Sequence, residues 1–225
     1  MKALEIRKAP GNLVDFADTS ASKGLVNLAH ELTGQGNQIV VEAASTFSGT
    51  LEIQGSDNIV RIGKHCSIRG KIVVKGRNQR VTIGDHTTFV GVYLLCIEEC
   101  NIEIGSHCMF SRDIEIRTSD AHSVVDRASG RRINLPGSVR VGTHVWIGVG
   151  ALVSKGASVP DDSIVGAHSF VNGTFDEQGI ILAGAPARIV KRGITWNRSR
   201  KKAFTERELD HWRPGRADGP SDAAT

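Results

Sequence analysis

The sequence predicts an all-β protein wound as a parallel β-helix of hexapeptide repeats, with a short N-terminal cap and a polar C-terminal tail. Three observations carry that prediction. Aliphatic residues recur every six positions at Val141, Ile147, Val153, Val159, Val165 and Val171. Four places after the first five stand Val145, Ala151, Ala157, Ser163 and Ser169, all small or of modest size. The same unit recurs upstream as Ile62-Gly63, Ile83-Gly84 and Ile104-Gly105, spaced by 21, with Cys66, Thr87 and Cys108 four places on. A period of six is neither the 3.6 of a helix nor the simple alternation of a hairpin.

Physically, each hexad is a short extended segment followed by a corner. Three hexads close a triangular coil of 18 residues. Successive coils stack through parallel-strand hydrogen bonds about 4.8 Å apart. The lead aliphatic and the small residue four later point into the narrow interior. A spacing of 21 reads as one such coil plus a three-residue loop. The chain divides accordingly into a cap segment at 1–36, a repeat domain at 37–191 with an ejected loop at 117–138, and a basic, partly disordered tail at 192–225. LVNLAHELTG within the first segment reads as a short helix, and TERELDHW in the tail as another, with Thr205 as N-cap and Glu208 three residues on.

Composition suits a thin, repetitive core: 25 of 225 residues are Gly, aromatics make up 5%, and there is one Tyr. The net charge of +4 arises in the tail, since residues 1–190 hold 19 basic and 19 acidic side chains. A neutral body lacks the basic face that nucleic-acid binding needs. The tail run Arg198, Arg200, Lys201 and Lys202 reads as a solvated face or as a steering patch for an anionic sugar. No run of roughly 18 apolar residues offers a membrane span, and the first residues lack the apolar stretch of a signal peptide. A cytoplasmic protein is expected, with Cys66, Cys96, Cys100 and Cys108 as free thiols.

Five histidines, His65, His86, His107, His144 and His168, sit three places after a lead aliphatic. That is a corner position, where positive φ is common and His is tolerated. His122 is different. It lies in RTSDAHSVVDRASGRRINLPGS, a polar insert between Ile116 and Val139 that cannot close a hexad. Loops ejected from rigid scaffolds are where binding and catalysis collect. Neutral imidazole, with an ordinary pKa near 6.5, is the group suited to withdraw a hydroxyl proton around pH 7. Trp146 closes its hexad pointing outward, a large ring that asks for a cover.

The repeat, the insert Ser119-Asp120-Ala121-His122, the motif His144-Val145-Trp146-Ile147-Gly148 and the closing segment Ala183-Gly184-Ala185-Pro186-Ala187-Arg188 together resemble the hexapeptide-repeat acyltransferases. Within that family the sugar and polysialic-acid O-acetyltransferases are the most similar. The resemblance implies a left-handed coil and a homotrimer with active sites between subunits. Acetyl-CoA would be the acyl donor and a carbohydrate of a capsule or lipopolysaccharide the acceptor. It implies His122 as general base, with Asp120 or a backbone carbonyl fixing its tautomer. It further implies that Trp146, Gly148, Val149, Gly166 and Ala167 line the pantetheine groove, with Arg188 and Lys191 at the coenzyme's phosphates. A backbone N–H near Gly148 or Val149 would receive the negative charge of the tetrahedral intermediate. Ala185 stands where the family has Asn or Val.

Other readings remain open from the residues alone. N-acetylation of an amino-sugar nucleotide would use the same base and groove. The histidines spaced by 21 could instead hold zinc, as in the γ-class carbonic anhydrases, although the corner role accounts for all five and no metal is expected. A non-catalytic assembly module is the remaining alternative.

Overall fold

The computed structural model describes residues 11–16 and 29–213. These wind as a parallel β-helix. One face stacks seven strands in the order Leu13–Phe16, Gln38–Val41, Ile59–Ile62, Arg80–Ile83, Ile102–Ile104, Val139–Val141 and Ser158–Val159. Every neighbouring pair on this face is parallel. A second sheet of twelve strands wraps the other two faces.

The hexad register gives the core directly. Ile147, Val153, Val159, Val165 and Val171 are fully buried, and Val145, Ala151, Ala157, Ser163 and Ser169 are at most 1% exposed. Upstream the interior takes larger side chains: one face buries Val60 with Ile62 and Val81 with Ile83, and Phe89 stacks on Phe110. The upstream coils differ from expectation in one respect. Their three additional residues enter continuous strand instead of a loop. Thr46–Ser56 and Ser67–Arg77 are each 11 residues long. In the 18-residue coils the corresponding path is two short strands, Trp146–Ile147 and Leu152–Val153. The long strands bend at Gly49 and Gly70, with φ of 149° and 152°. A Cβ on Gly49 would run into the Gly70 carbonyl of the next coil, so glycine is required there.

The corner histidines are where the spacing puts them. His65, His86, His107, His144 and His168 have φ of 56°, 59°, 59°, 55° and 54°. The first three stack ring on ring, with centroids 4.8 Å and 4.7 Å apart.

Both ends extend the coil or pack against it. Leu13–Phe16 and Ala29–Thr33 pair in parallel with Gln38–Val41 and Thr46–Ser56, so the ladder begins upstream of residue 37. Ala29–Thr33 is therefore strand where a short helix was expected, because pairing with the next coil outweighs local helix propensity. Residues 25–28 of that segment lie outside the described residues, as do 1–10 and 17–24 of the cap.

At the other end, Ile180–Gly184 and Ala187–Arg192 form an antiparallel pair. Residues 194–213 then fold back along the His144 edge. Trp196 and Trp212 stack on the His144 ring at 4.3 Å and 4.7 Å, nearly parallel to it. Trp196 Nε1 donates to the His144 carbonyl at 2.8 Å. His144 Nδ1 meets Asp162 Oδ1 at 2.8 Å, and Thr195 Oγ1 donates to the same oxygen at 2.7 Å. Arg198 donates to Thr88 Oγ1 at 2.9 Å and to the Cys108 carbonyl at 3.0 Å, and Lys201 pairs with Glu208. Two members of the basic run are thus structural ties. The helix expected after Thr205 forms at Glu206–Leu209 with the full capping box. The disorder expected at the chain end falls on residues 214–225, outside those described.

All four cysteines are free thiols, and Cys66, Cys96 and Cys108 are buried. No helix among the described residues is long and apolar enough to cross a membrane.

Burial, and next the adjacent His86, push the His107 pKa down to about 4. The unfolded chain protonates this imidazole near pH 6.5, while the folded chain keeps it neutral until about pH 4. Stability is therefore expected to fall as pH drops from about 6.5 towards 4. His107→Asn, which keeps a side chain tolerant of positive φ, should flatten that slope in urea midpoints measured across the range; an unchanged slope would contradict the assignment.

Candidate active site

Trp146 projects from Trp146–Ile147 and is 38% exposed, while its neighbour Ile147 is fully buried. Its strand pairs place it in a row. Trp146 is in register with Ile164, Ile164 with Ile181, and Ile181 with Lys191. Successive steps of about 4.8 Å put Lys191 some 14 Å along the outer face from the indole.

Beside this row runs a column of small residues. A Cβ on Gly148 would lie 2.7 Å from the Ala167 N, and one on Gly166 would lie 3.2 Å from the Ala183 Cβ. Ala183 is in register with Arg188, which is exposed. The fold thus brings Trp146, Gly148, Gly166, Ala167, Arg188 and Lys191 to one stretch of surface ending in two cations.

The two backbone donors separate. Gly148 N–H donates to the Val165 carbonyl at 2.8 Å as part of the coil ladder, so it is not available as a donor to an oxyanion. Val149 N–H has no partner among the described residues, while its carbonyl accepts from His168 N–H at 2.8 Å.

His122 lies elsewhere on the chain. The loop leaves the coil after Ile114–Arg117 and returns at Val139–Val141, which is a different edge from the one next to Trp146. Among the described residues no hydrogen bond or ring contact joins His122 and Trp146. His122 is exposed, and its carbonyl accepts a 2.8 Å bond from Asn134 Nδ2. Asp120 does not hold the His122 ring in this chain. It pairs with Lys155 Nζ and accepts from Asn134 Nδ2 at 2.7 Å. Lys155 first, then Asn134, hold the Asp120 carboxyl below its usual range.

The loop is a pinned hairpin. Val125 bridges Arg132, and a turn at Asp126–Ser129 closes the tip. Arg132 forks onto Glu98, which also accepts from Ser119. Arg132, then Ser119, lower the Glu98 pKa. Sequence reasoning missed Glu98, Arg132, Asn134 and Lys155, because they meet only through the fold. It also missed Trp196, whose ring lies 6.2 Å from that of Trp146. Two of the chain's three tryptophans falling in a polar tail was the available signal.

No family model matches the chain. Among solved structures, the polySia-specific acetyltransferase NeuO is similar at 32% identity, with a TM-score of 0.78, over 86% of this chain and 82% of that one. The chain belongs to the hexapeptide-repeat acyltransferases. Its coil is accordingly the left-handed parallel β-helix of that family. The polysialic acid O-acetyltransferase OatWY is similar at 26% identity, with a TM-score of 0.64, over 89% of this chain and 99% of that one. Among curated proteins, the polysialic acid O-acetyltransferases of Escherichia coli O1:K1 / APEC and Neisseria meningitidis are 34% and 31% identical over 95 and 91 residues. Those matches span 30% and 42% of the relatives' own lengths, less than half of each.

Packing of the return segment against this acyltransferase coil generates one expectation. Trp196→Ala removes a buried indole that stacks on His144, and should cost ~3–5 kcal/mol in equilibrium urea unfolding. A loss under about 1 kcal/mol would show that the segment is only loosely held.

Proposed function

We propose that the chain transfers the acetyl group of acetyl-CoA to a sugar hydroxyl of a surface polysaccharide, of capsule or lipopolysaccharide type, with His122 as general base. The observation that carries this reading is the outward row from Trp146 to Lys191 beside the small-residue column. An extended pantetheine arm suits such a groove, because residues without bulky side chains allow close approach to backbone. Arg188 and Lys191 would meet the coenzyme's phosphates, the guanidinium as a bidentate donor and the ammonium as a point charge. Trp146 at the other end would cover the thioester.

His122 takes the proton of the acceptor hydroxyl as the oxygen attacks the thioester carbonyl. The carbonyl oxygen becomes negative, and the Val149 N–H is the donor available to it, since Gly148 is committed to the coil. A donor of this kind typically contributes ~3 kcal/mol. Collapse expels the coenzyme thiolate, which recovers the proton from the imidazolium. Transfer is direct. Burial pushes the Cys96 and Cys108 thiols up to about 12, so neither serves as a covalent carrier at neutral pH.

His122 and Trp146 stand on different edges of one prism, which supports a homotrimer in which the loop of one protomer reaches the groove of the next. Val124, Val125, Ile133 and Leu135 on that loop are 53%, 51%, 64% and 65% exposed, apolar surface that a neighbouring copy would cover. A cytoplasmic reaction suits this reading, because acetyl-CoA is supplied there and thiols stay reduced.

His122→Ala tests the reading. Turnover of acetyl-CoA against an acceptor glycan should fall at least ~100-fold while coenzyme A affinity by calorimetry is retained. Near-normal turnover would remove His122 as the base.

A further inference from the structure

We propose that Asn134 is the positioning residue that sets His122, acting through the backbone of the loop; this rests on the reading of His122 as general base. A base must be held within about 0.5 Å of its productive place. His122 is fully on the surface side of a long loop, and Asp120 does not orient its ring. Something else must fix it, and the contacts single out one carboxamide.

Asn134 uses all four of its hydrogen-bonding capacities. Its Nδ2 donates to the His122 carbonyl at 2.8 Å and to Asp120 Oδ2 at 2.7 Å. Its Oδ1 accepts from Val124 N–H at 2.7 Å and from Arg132 Nε at 3.2 Å. The residues two before and two after His122 are thus tied to the same side chain as His122 itself. Two of the four partners of Asn134 are themselves tied back to the coil, Asp120 through Lys155 and Arg132 through Glu98. Asn134 closes the outgoing limb of the loop onto the returning limb at the level of the imidazole. Ala at this position would leave the Val124 N–H and the His122 carbonyl to solvent and free the segment between them.

The test is a cycle of Asn134→Ala, His122→Ala and the double variant, in the full chain. Asn134→Ala should lower kcat about 10- to 100-fold, the scale of a 1 Å misplacement. The KM for acetyl-CoA should stay within about twofold, because the groove from Trp146 to Lys191 is untouched. The double variant should be no slower than His122→Ala alone. Asn134→Asp is nearly isosteric, keeps the acceptor for Val124 and loses both donated bonds, and should reproduce the kcat loss even if the Ala variant folds poorly. If Asn134→Ala and Asn134→Asp keep normal kcat while His122→Ala does not, the positioning role is overturned and the base stands. If His122→Ala keeps its turnover, the base reading fails and the positioning role with it. Losses that multiply in the double variant would show that Asn134 acts independently of His122, and failure of both Asn134 variants to fold would make it a structural residue only.

Discussion

The interior of this coil has room for only a few inward apolar side chains per face per turn, such as Val60 with Ile62 or Ala151 with Val153, and the rest of the molecule follows from that limit. A core built from Ile147, Val153, Val159 and their equivalents has no room for functional groups. Every polar or aromatic residue with chemistry must stand outside it, on a face, at a corner or in a loop that leaves the coil. The parallel ladder makes the outside equally regular. Residues separated by one turn lie one strand apart, so Trp146, Ile164, Ile181 and Lys191 form a row along the outer face without any dedicated loop. A rigid scaffold of this kind fixes the spacing along that row, and the single insertion at 117–138 is pinned back onto it through Glu98 and Lys155.

The corners show a second consequence. Each needs a residue tolerant of positive φ, and histidine fills five of them. Stacking down one edge then brings imidazole against imidazole, and burial, with the adjacent His86 next, depresses the protonation of His107. His144, last of the column, is recruited differently: the return segment 194–213 closes over it with two indoles. The column terminates in Asp162, which accepts from Thr195 and meets the His144 ring. Among the described residues no group of three or more His, Cys, Asp or Glu is placed to hold a metal ion. Steric demand at the corners accounts for this histidine pattern.

Much of this was legible in the sequence because the hexad is a local rule. The inward residues, the corner histidines, the exposed Trp146, the loop between Arg117 and Val139 and the capped helix after Thr205 all follow from spacing or short motifs. What was not legible depends on contacts between distant coils. The three additional residues of the early coils could have formed a loop; they became strand because Gly49 and Gly70 permit a bend that neighbouring carbonyls would deny to any larger residue. Ala29–Thr33 reads locally as helix and becomes strand through its partner coil. The resemblance offers Asp120 or a backbone carbonyl as the partner of the His122 ring, whereas Lys155, 35 residues away, claims Asp120 in space. The same distance hid Asn134 and its four bonds, and the commitment of Gly148 N–H to the ladder could not be seen without a register.

The central claim is that the groove beside Trp146 receives coenzyme A and that a histidine from another protomer completes it. Diffraction from crystals grown with coenzyme A tests this most directly. The account predicts the thiol end against the Trp146 indole, the phosphates near Arg188 and Lys191, and the His122 imidazole of an adjacent protomer within about one bridging acceptor hydroxyl of the sulfur. Coenzyme bound along another face, or a His122 remote from the thiol in every protomer, would contradict it.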